Sequence, residues 1–321
     1  MRRTHRAVSL IVSIVRTSTV RLLAAALVAG VAIAGLAQQV ADPDFDARVP
    51  NPAYTTKHPK VLLDEAHNNF HTAGGRYKPF ADLITNDGYQ VIANKQKFGS
   101  ETLKECDVLV ISNALGASLM GTPAASNPAF TDEECDAVRE WVRAGGNLLL
   151  IADHAPMGAA NEKLGMRLGV EMSKGYTSDP VNHDGDNEGS ITYNPENKLL
   201  GDHPITRGRN AREKVSRIIA FTGQSLRGPE GSVAFMKLAN TAVDLTPRGK
   251  GVEPGRASAA GRAQGLAFNL GKGRVVVLGE AAMLSAQIVG PEKTKFGMNR
   301  PGLDNRQLAL NIMHWLSGLL K

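Results

Sequence analysis

The stretch Lys60–His71, KVLLDEAHNNFH, decides the fold of this chain. Val61–Leu63 is a short apolar run, and Asp64, Glu65, His67, Asn68, Asn69 and His71 crowd in behind it. A buried strand that runs straight into carboxylates, imidazoles and amides is how an open α/β sheet builds a site, because its ligands sit outside the carboxyl ends of the parallel strands. Two later stretches repeat the pattern. Asn147–His154, NLLLIADH, ends in Asp153 and His154, and Arg274–Glu280, RVVVLGE, ends in Glu280. The pattern predicts that these three strand ends meet.

Working outward, Tyr77, Phe80, Leu83 and Ile84 recur at helical spacing and stop at Asp87–Gly88. Strands are expected at Tyr89–Ala93 and Asp107–Ser112, with a helical turn at Leu103–Glu105. Thr131 with Glu134 forms a capping box for a helix whose apolar face is Ala137, Val138, Trp141 and Val142, ended by Gly145–Gly146. Asn147–Asp153 is apolar on both faces, as a central parallel strand should be. A further helix is expected over Asn161–Leu168. The alternation of strands and helices predicts a parallel sheet with right-handed crossovers and helices on both faces, flavodoxin-like in class. Residues 171–262 are less regular. Strands at Ser190–Tyr193, Ile218–Thr222 and Val233–Leu238 read as β additions to that sheet, and Arg248–Arg262 as a mobile loop. Leu266–Leu270 and Arg274–Leu278 make a hairpin, and an amphipathic helix over Asn305–Leu320 closes the chain.

The 321 residues allow one large or two modest domains, and 42% hydrophobic against 21% charged residues excludes global disorder. The formal net charge of +6 comes from the N-terminus. Arg2, Arg3, Arg6, Arg16 and Arg21 lie in a stretch without acids, and the remainder carries 32 basic against 31 acidic residues. No nucleic-acid partner is therefore inferred. Those arginines precede the apolar run Leu22–Leu36 and small residues at Gly35 and Ala37. This pattern predicts an export signal over 1–37, with an uncleaved membrane anchor as the other reading. The expected location is the periplasm or cell envelope, with membrane contact only through that segment. Residues 38–58 read as a linker or extended arm, and 59–321 as the α/β domain. Cys106 and Cys135 fall too far apart in the expected fold for a disulfide.

With these motifs placed, the chain resembles the class I glutamine amidotransferase-like superfamily, in an exported branch. The resemblance rests on Asp64–Asn69 (DEAHNN), Gly145–His154 (GGNLLLIADH) and Gly273–Glu280 (GRVVVLGE), and it covers residues 58–320. It implies an amidotransferase-like parallel sheet. True amidotransferases carry a nucleophilic Cys at the turn after the strand matching Leu148–Ala152, and a His-x-Glu after a late strand. Here the turn reads Ala152-Asp153-His154 and Glu280 stands alone, so glutaminase chemistry is not expected.

The candidate catalytic residues are Asp153, His154 and Glu280. The candidate ligand-binding residues are Asp64, Glu65, His67, Asn68, Asn69 and His71, and His67 and His154 are candidate metal ligands with a divalent metal as the candidate cofactor. The structural alternatives are that Asp64 and Glu65 cap helices, that His67 bonds a carbonyl, and that Glu280 pairs with Arg300 or Arg306. Asn182–Glu188 (NHDGDNE) reads as a solvated acidic loop short of an EF-hand, and His183 and His203 as surface residues. Three functions fit. The first is an envelope module binding a small polar, carbohydrate-like ligand. The second is a metal-dependent hydrolase using Asp153 and His154 with Asp64, Glu65 or Glu280. The third is a structural partner in an envelope complex.

Overall fold

The computed structural model describes residues 39–246 and 255–321. The chain divides into two compact units. Among the described residues the large unit comprises 41–246, 255–287 and Lys295–Lys321, and the small one comprises 39–40 and Ile288–Thr294. The expected export signal lies outside the described residues, as does the 248–254 part of the loop expected at Arg248–Arg262. Among the described residues no helix is long and apolar enough to cross a membrane.

The large unit is built on one mixed sheet. Its parallel part comprises β1 (Lys60–Asp64), β2 (Gln90–Asn94), β3 (Val108–Ser112) and β4 (Asn147–Ile151). Joining these are α1 (Lys78–Asn86), α2 (Asp132–Ala144) and, after β4, α3 (Met157–Arg167). The antiparallel part adds β5 (Glu171–Met172), β6 (Leu226–Arg227), β7 (Val233–Lys237) and β8 (Ala263–Leu270). The return strand is β9 (Gly273–Leu278), and α4 (Asn305–Leu316) ends the chain. The spatial order is β2-β1-β3-β4-β9-β8-β6-β5, with β7 also on β8. The first five run parallel, and β8 turns back antiparallel to β9 as the expected hairpin.

Side chains alternate along each strand, so the sheet has two apolar faces. Val61, Leu63, Val108, Val110, Leu149, Ile151, Val276 and Leu278 pack with α1 and α4. Leu109, Ile111, Leu148, Leu150, Val275 and Val277 pack with α2 and α3. Each fully buried aliphatic side chain contributes about 1.5–3 kcal/mol relative to exposure, so the register is strongly held. The capping box of α2 forms as expected, with Thr131 Oγ1 accepting from Glu134 N and Glu134 Oε2 from Thr131 N. Gly145, at φ 127°, ends that helix in a conformation other residues rarely adopt.

The mixed α/β expectation holds, with corrections in the middle region. Only the Val233–Leu238 strand joins the main sheet. Asn187–Tyr193 and Ile218–Ala220 instead form a separate sheet with His183–Asp184, and Tyr176–Ser178 forms another with Val243–Thr246 and Gly255–Ser258. The expected acidic loop is thus half a hairpin, and its Asp184 pairs with Arg300 at 2.7 Å. The helix expected from Asn161 begins at Met157, directly after Pro156. The arm 38–58 is fastened: Tyr54 packs edge-on against Tyr89, and Phe45, Ala47 and Val49 cover the core. His203 is buried, not a surface residue. Its Nδ1 accepts from Ile205 N, and Phe235 and Trp315 flank the ring. Both cysteines are free.

Candidate functional site

The sheet register builds the centre of the site. Leu278 of β9 lies beside Ile151 of β4 in a parallel pair. Asp153 and Glu280 each follow two residues later, so two carboxylates leave the sheet side by side and on the same face. Both are buried, Glu280 completely. Glu280 accepts from Ala282 N at 2.6 Å and Met283 N at 2.8 Å, not from Arg300 or Arg306 as one sequence alternative had it. Burial, and then the charge of Asp153, push the Glu280 carboxyl well above its ordinary range. Burial also raises Asp153, against the opposing pull of His154 and of the His154 N–H that donates to Oδ1 at 2.7 Å. Two adjacent buried carboxylates cannot both ionise cheaply, and the penalty falls most heavily on Glu280.

Polar side chains surround this pair. Asn113 follows β3 with a left-handed backbone, φ 50°, and its Oδ1 accepts from Asp153 N at 3.0 Å. Asn113 Nδ2 is buried without a partner among the described residues, and so is Gln264 Nε2. Tyr193 donates to Gln264 Oε1 at 2.8 Å, and the Glu280 charge is among the influences that raise its phenol. Tyr77 donates to Ala281 O at 2.7 Å, and both Glu280 and Asp153 help burial to raise its phenol. Gln224 fixes the β4 turn by donating to Ala152 O and Asp153 O.

His154 forms the half-buried rim. Its ring stacks on Tyr176, centroids 4.5 Å apart and planes at 20°. Nδ1 lies 2.7 Å from Ala155 O, and a carbonyl can only accept, so the Nδ1 proton is fixed there. Nε2 makes no hydrogen bond among the described residues. Desolvation, and then the nearby Asp153 charge, raise the Tyr176 phenol, so this stack borders the carboxylate pair.

The residues after β1 divide between the two faces of the sheet. Asp64 and His67 turn toward the N-terminus of α2. His67 Nδ1 lies 2.9 Å from Asp64 Oδ2, and Nε2 lies 2.9 Å from Glu134 Oε1. Phe98 and Phe130 pack against the ring. Burial opposes a charge on His67, but the two carboxylates override it and raise the imidazole. Asn69 completes this set by donating to Asp64 Oδ2 and Ser112 O. Both nitrogens of His67 are therefore engaged by carboxylates, not by a carbonyl. Among the described residues no group of three or more His, Cys, Asp or Glu side chains is arranged to hold a metal ion.

His71 turns to the other face. It stacks on Tyr77 at 4.5 Å, and Nδ1 lies 3.1 Å from Ser112 Oγ. Burial, with a smaller push from Arg76, lowers its pKa to about 3, so the ring is neutral. Glu65 accepts from Ala73 N at 2.9 Å and fastens the loop. Asn68, exposed at φ 48°, donates to Leu115 O. The strand ends thus form two polar clusters, and the His67 cluster makes no direct hydrogen bond to Asp153 or Glu280.

Several contributors were missed in the sequence. Glu134 hid as a capping residue, and Tyr77 as an apolar helix position. Asn113 follows the DVLVIS strand and was open to the same strand-end rule. Tyr176, Tyr193 and Gln264 come from separate elements and carried no local signal.

No protein-family profile and no curated protein matches the chain. Solved structures do resemble it. The mmIFT52 N-terminal domain aligns with a TM-score of 0.56 at 14% identity, over 80% of this chain and 97% of that one. The cytoplasmic protein STM1381 from Salmonella typhimurium LT2 aligns with a TM-score of 0.44 at 14% identity, over 80% and 99%. A ThuA-like protein from Bacteroides uniformis ATCC 8492 aligns with a TM-score of 0.42 at 16% identity, over 83% and 94%. At these identities the likeness concerns the fold alone, and one fold hosts many functions.

Proposed function

We propose that this chain is a ligand-binding domain of flavodoxin-like, amidotransferase-like fold that holds a polar, carbohydrate-like ligand at the β4 and β9 strand ends. The observation that carries this reading is the buried Asp153–Glu280 pair beside the half-buried His154–Tyr176 stack. A hydroxyl-rich ligand needs donors and acceptors in one place and a flat apolar surface for its ring. The pair, the unpartnered amides of Asn113 and Gln264, and the stack supply both. The turn that carries a nucleophile in amidotransferases reads Ala152-Asp153-His154, so thiol chemistry is not part of the reading. Metal-dependent hydrolysis using Asp153 and His154 with Asp64, Glu65 or Glu280 is the alternative; both readings require access to the buried Glu280. The basic and then apolar N-terminal segment supports a place in the cell envelope.

The test is thermal unfolding with a panel of neutral oligosaccharides. A ligand at 100 times its Kd stabilises by about 2.7 kcal/mol, which is readily seen as a higher Tm. The shift should vanish in Asp153→Asn and in His154→Ala while both variants stay folded. A panel that moves nothing, or an Asp153→Asn protein that responds like wild type, would overturn the proposal.

A further inference from the structure

A cavity of about 390 Å³ is lined in part by Pro50, Asp87, Arg209, Arg212, Arg306 and His314. It lies away from the β4 and β9 ends. Asp87 follows the C-terminus of α1, where the chain turns back toward the start of β2. Arg306 stands in the first turn of α4, and Arg212 in the short turn Ala211–Glu213.

The charges here do not cancel. Arg209 is bound by Glu213 through paired contacts of 2.6 to 3.0 Å. Asp87 is spent on His314 Nε2 at 2.6 Å and on Ala53 N at 2.8 Å. Both acids lining the cavity are therefore committed, while two guanidinium groups remain. Arg306 is half-buried and donates to the Arg48 carbonyl; burial lowers its pKa, Asp46 and Asp87 oppose that from beyond contact distance, and it makes no ion pair among the described residues. Arg212 is exposed, and its side chain has no partner among the described residues. His314 is buried, and its Nδ1 has no partner either. A half-buried guanidinium such as Arg306, with no carboxylate in hydrogen-bond contact, is incompletely compensated, and a bound anion in direct contact supplies that pairing.

We propose that this cavity binds a small tetrahedral oxyanion, the phosphate or sulfate group of a ligand, held by Arg306 and Arg212. A guanidinium presents its donors in a planar fork that matches two oxygens of such a group. The compact volume suits an ester of a small molecule. The site is independent of the carboxylate pair, whose acidic side chains would repel the same anion.

The experiment is isothermal titration of the full chain with inorganic phosphate, inorganic sulfate and glycerol 2-phosphate, against chloride at matched ionic strength. Saturable one-to-one binding is expected, weakened about tenfold or more in Arg306→Gln and in Arg212→Gln, as removal of one charge-assisted pair implies. Arg306 also braces the Arg48 carbonyl, so Arg212→Gln serves as the variant that touches no described partner. Tighter binding of glycerol 2-phosphate than of either inorganic ion would identify an ester ligand, and the reverse a free anion. Heats no different from chloride, or wild-type affinity in both variants, would overturn the proposal. Asp153→Asn should bind the anion like wild type, which separates this test from that of the strand-end site.

Discussion

Acidification should destabilise this protein through His71, and the size of the effect follows from its burial. The ring is enclosed between Phe70, Tyr77 and Ser112, and its pKa falls from 6.5 to about 3. The unfolded chain takes up the proton near 6.5, and the folded chain resists until about 3. The unfolded state therefore binds more protons in this window, and stability falls as pH falls through it. One proton taken up only by the unfolded chain costs about 1.4 kcal/mol for every pH step of one, so the group removes about 2.7 kcal/mol between roughly pH 7.5 and pH 4.5. The assay is urea unfolding of wild type and His71→Gln across that range. Glutamine keeps a polar partner for Ser112 Oγ but has no proton to gain. His203, lowered to about 4 mainly by burial, titrates in both proteins and cancels in the difference. The variant should lose less stability on acidification by about the stated amount. Parallel pH profiles, or a His71 ring that titrates near 6.5 by NMR, would refute burial as the controlling influence.

Two further outcomes follow from the same geometry. Glu134→Gln removes one of the two charges that raise His67, whose contribution is present below pH 6.5 and lost as pH rises through its folded pKa. The variant should lose about 1–3 kcal/mol at roughly pH 6 and less at pH 8, by urea unfolding, and an equal loss at both would contradict a charged His67. Cys106 and Cys135 are free, and burial pushes their thiols up to about 12 and about 11. Labelling with a thiol-specific disulfide reagent should therefore be slow in the native protein and stoichiometric in urea, and fast native labelling of both would show the burial to be wrong.

Much of the architecture was legible because it is written in short-range patterns. The runs at Val61–Leu63, Leu148–Ile151 and Val275–Leu278 mark buried parallel strands, and the capping box fixes the start of α2. The middle region was misread because its strands are two to seven residues long. No periodicity distinguishes a strand that extends the main sheet, such as Val233–Lys237, from one that pairs elsewhere, such as Asn187–Tyr193. His203 was misplaced on the surface for a related reason, since its burial comes from Phe235 and Trp315, both distant in sequence.

The strand-end residues divide along the same line. The sequence by itself determined that carboxylates, imidazoles and amides follow the apolar strands, because a strand must end where its apolar run ends. It could not determine which of them meet. Asp153 and Glu280 are neighbours because Ile151 and Leu278 pair in register, and that pairing is a property of the sheet. His67 looked equal to them in the sequence, yet Glu134 draws it to the other face, 67 residues along the chain. Residue type and local order are encoded nearby, whereas the raising of two carboxyl groups and one imidazole and the silencing of another depend on burial and on charges brought together only by folding.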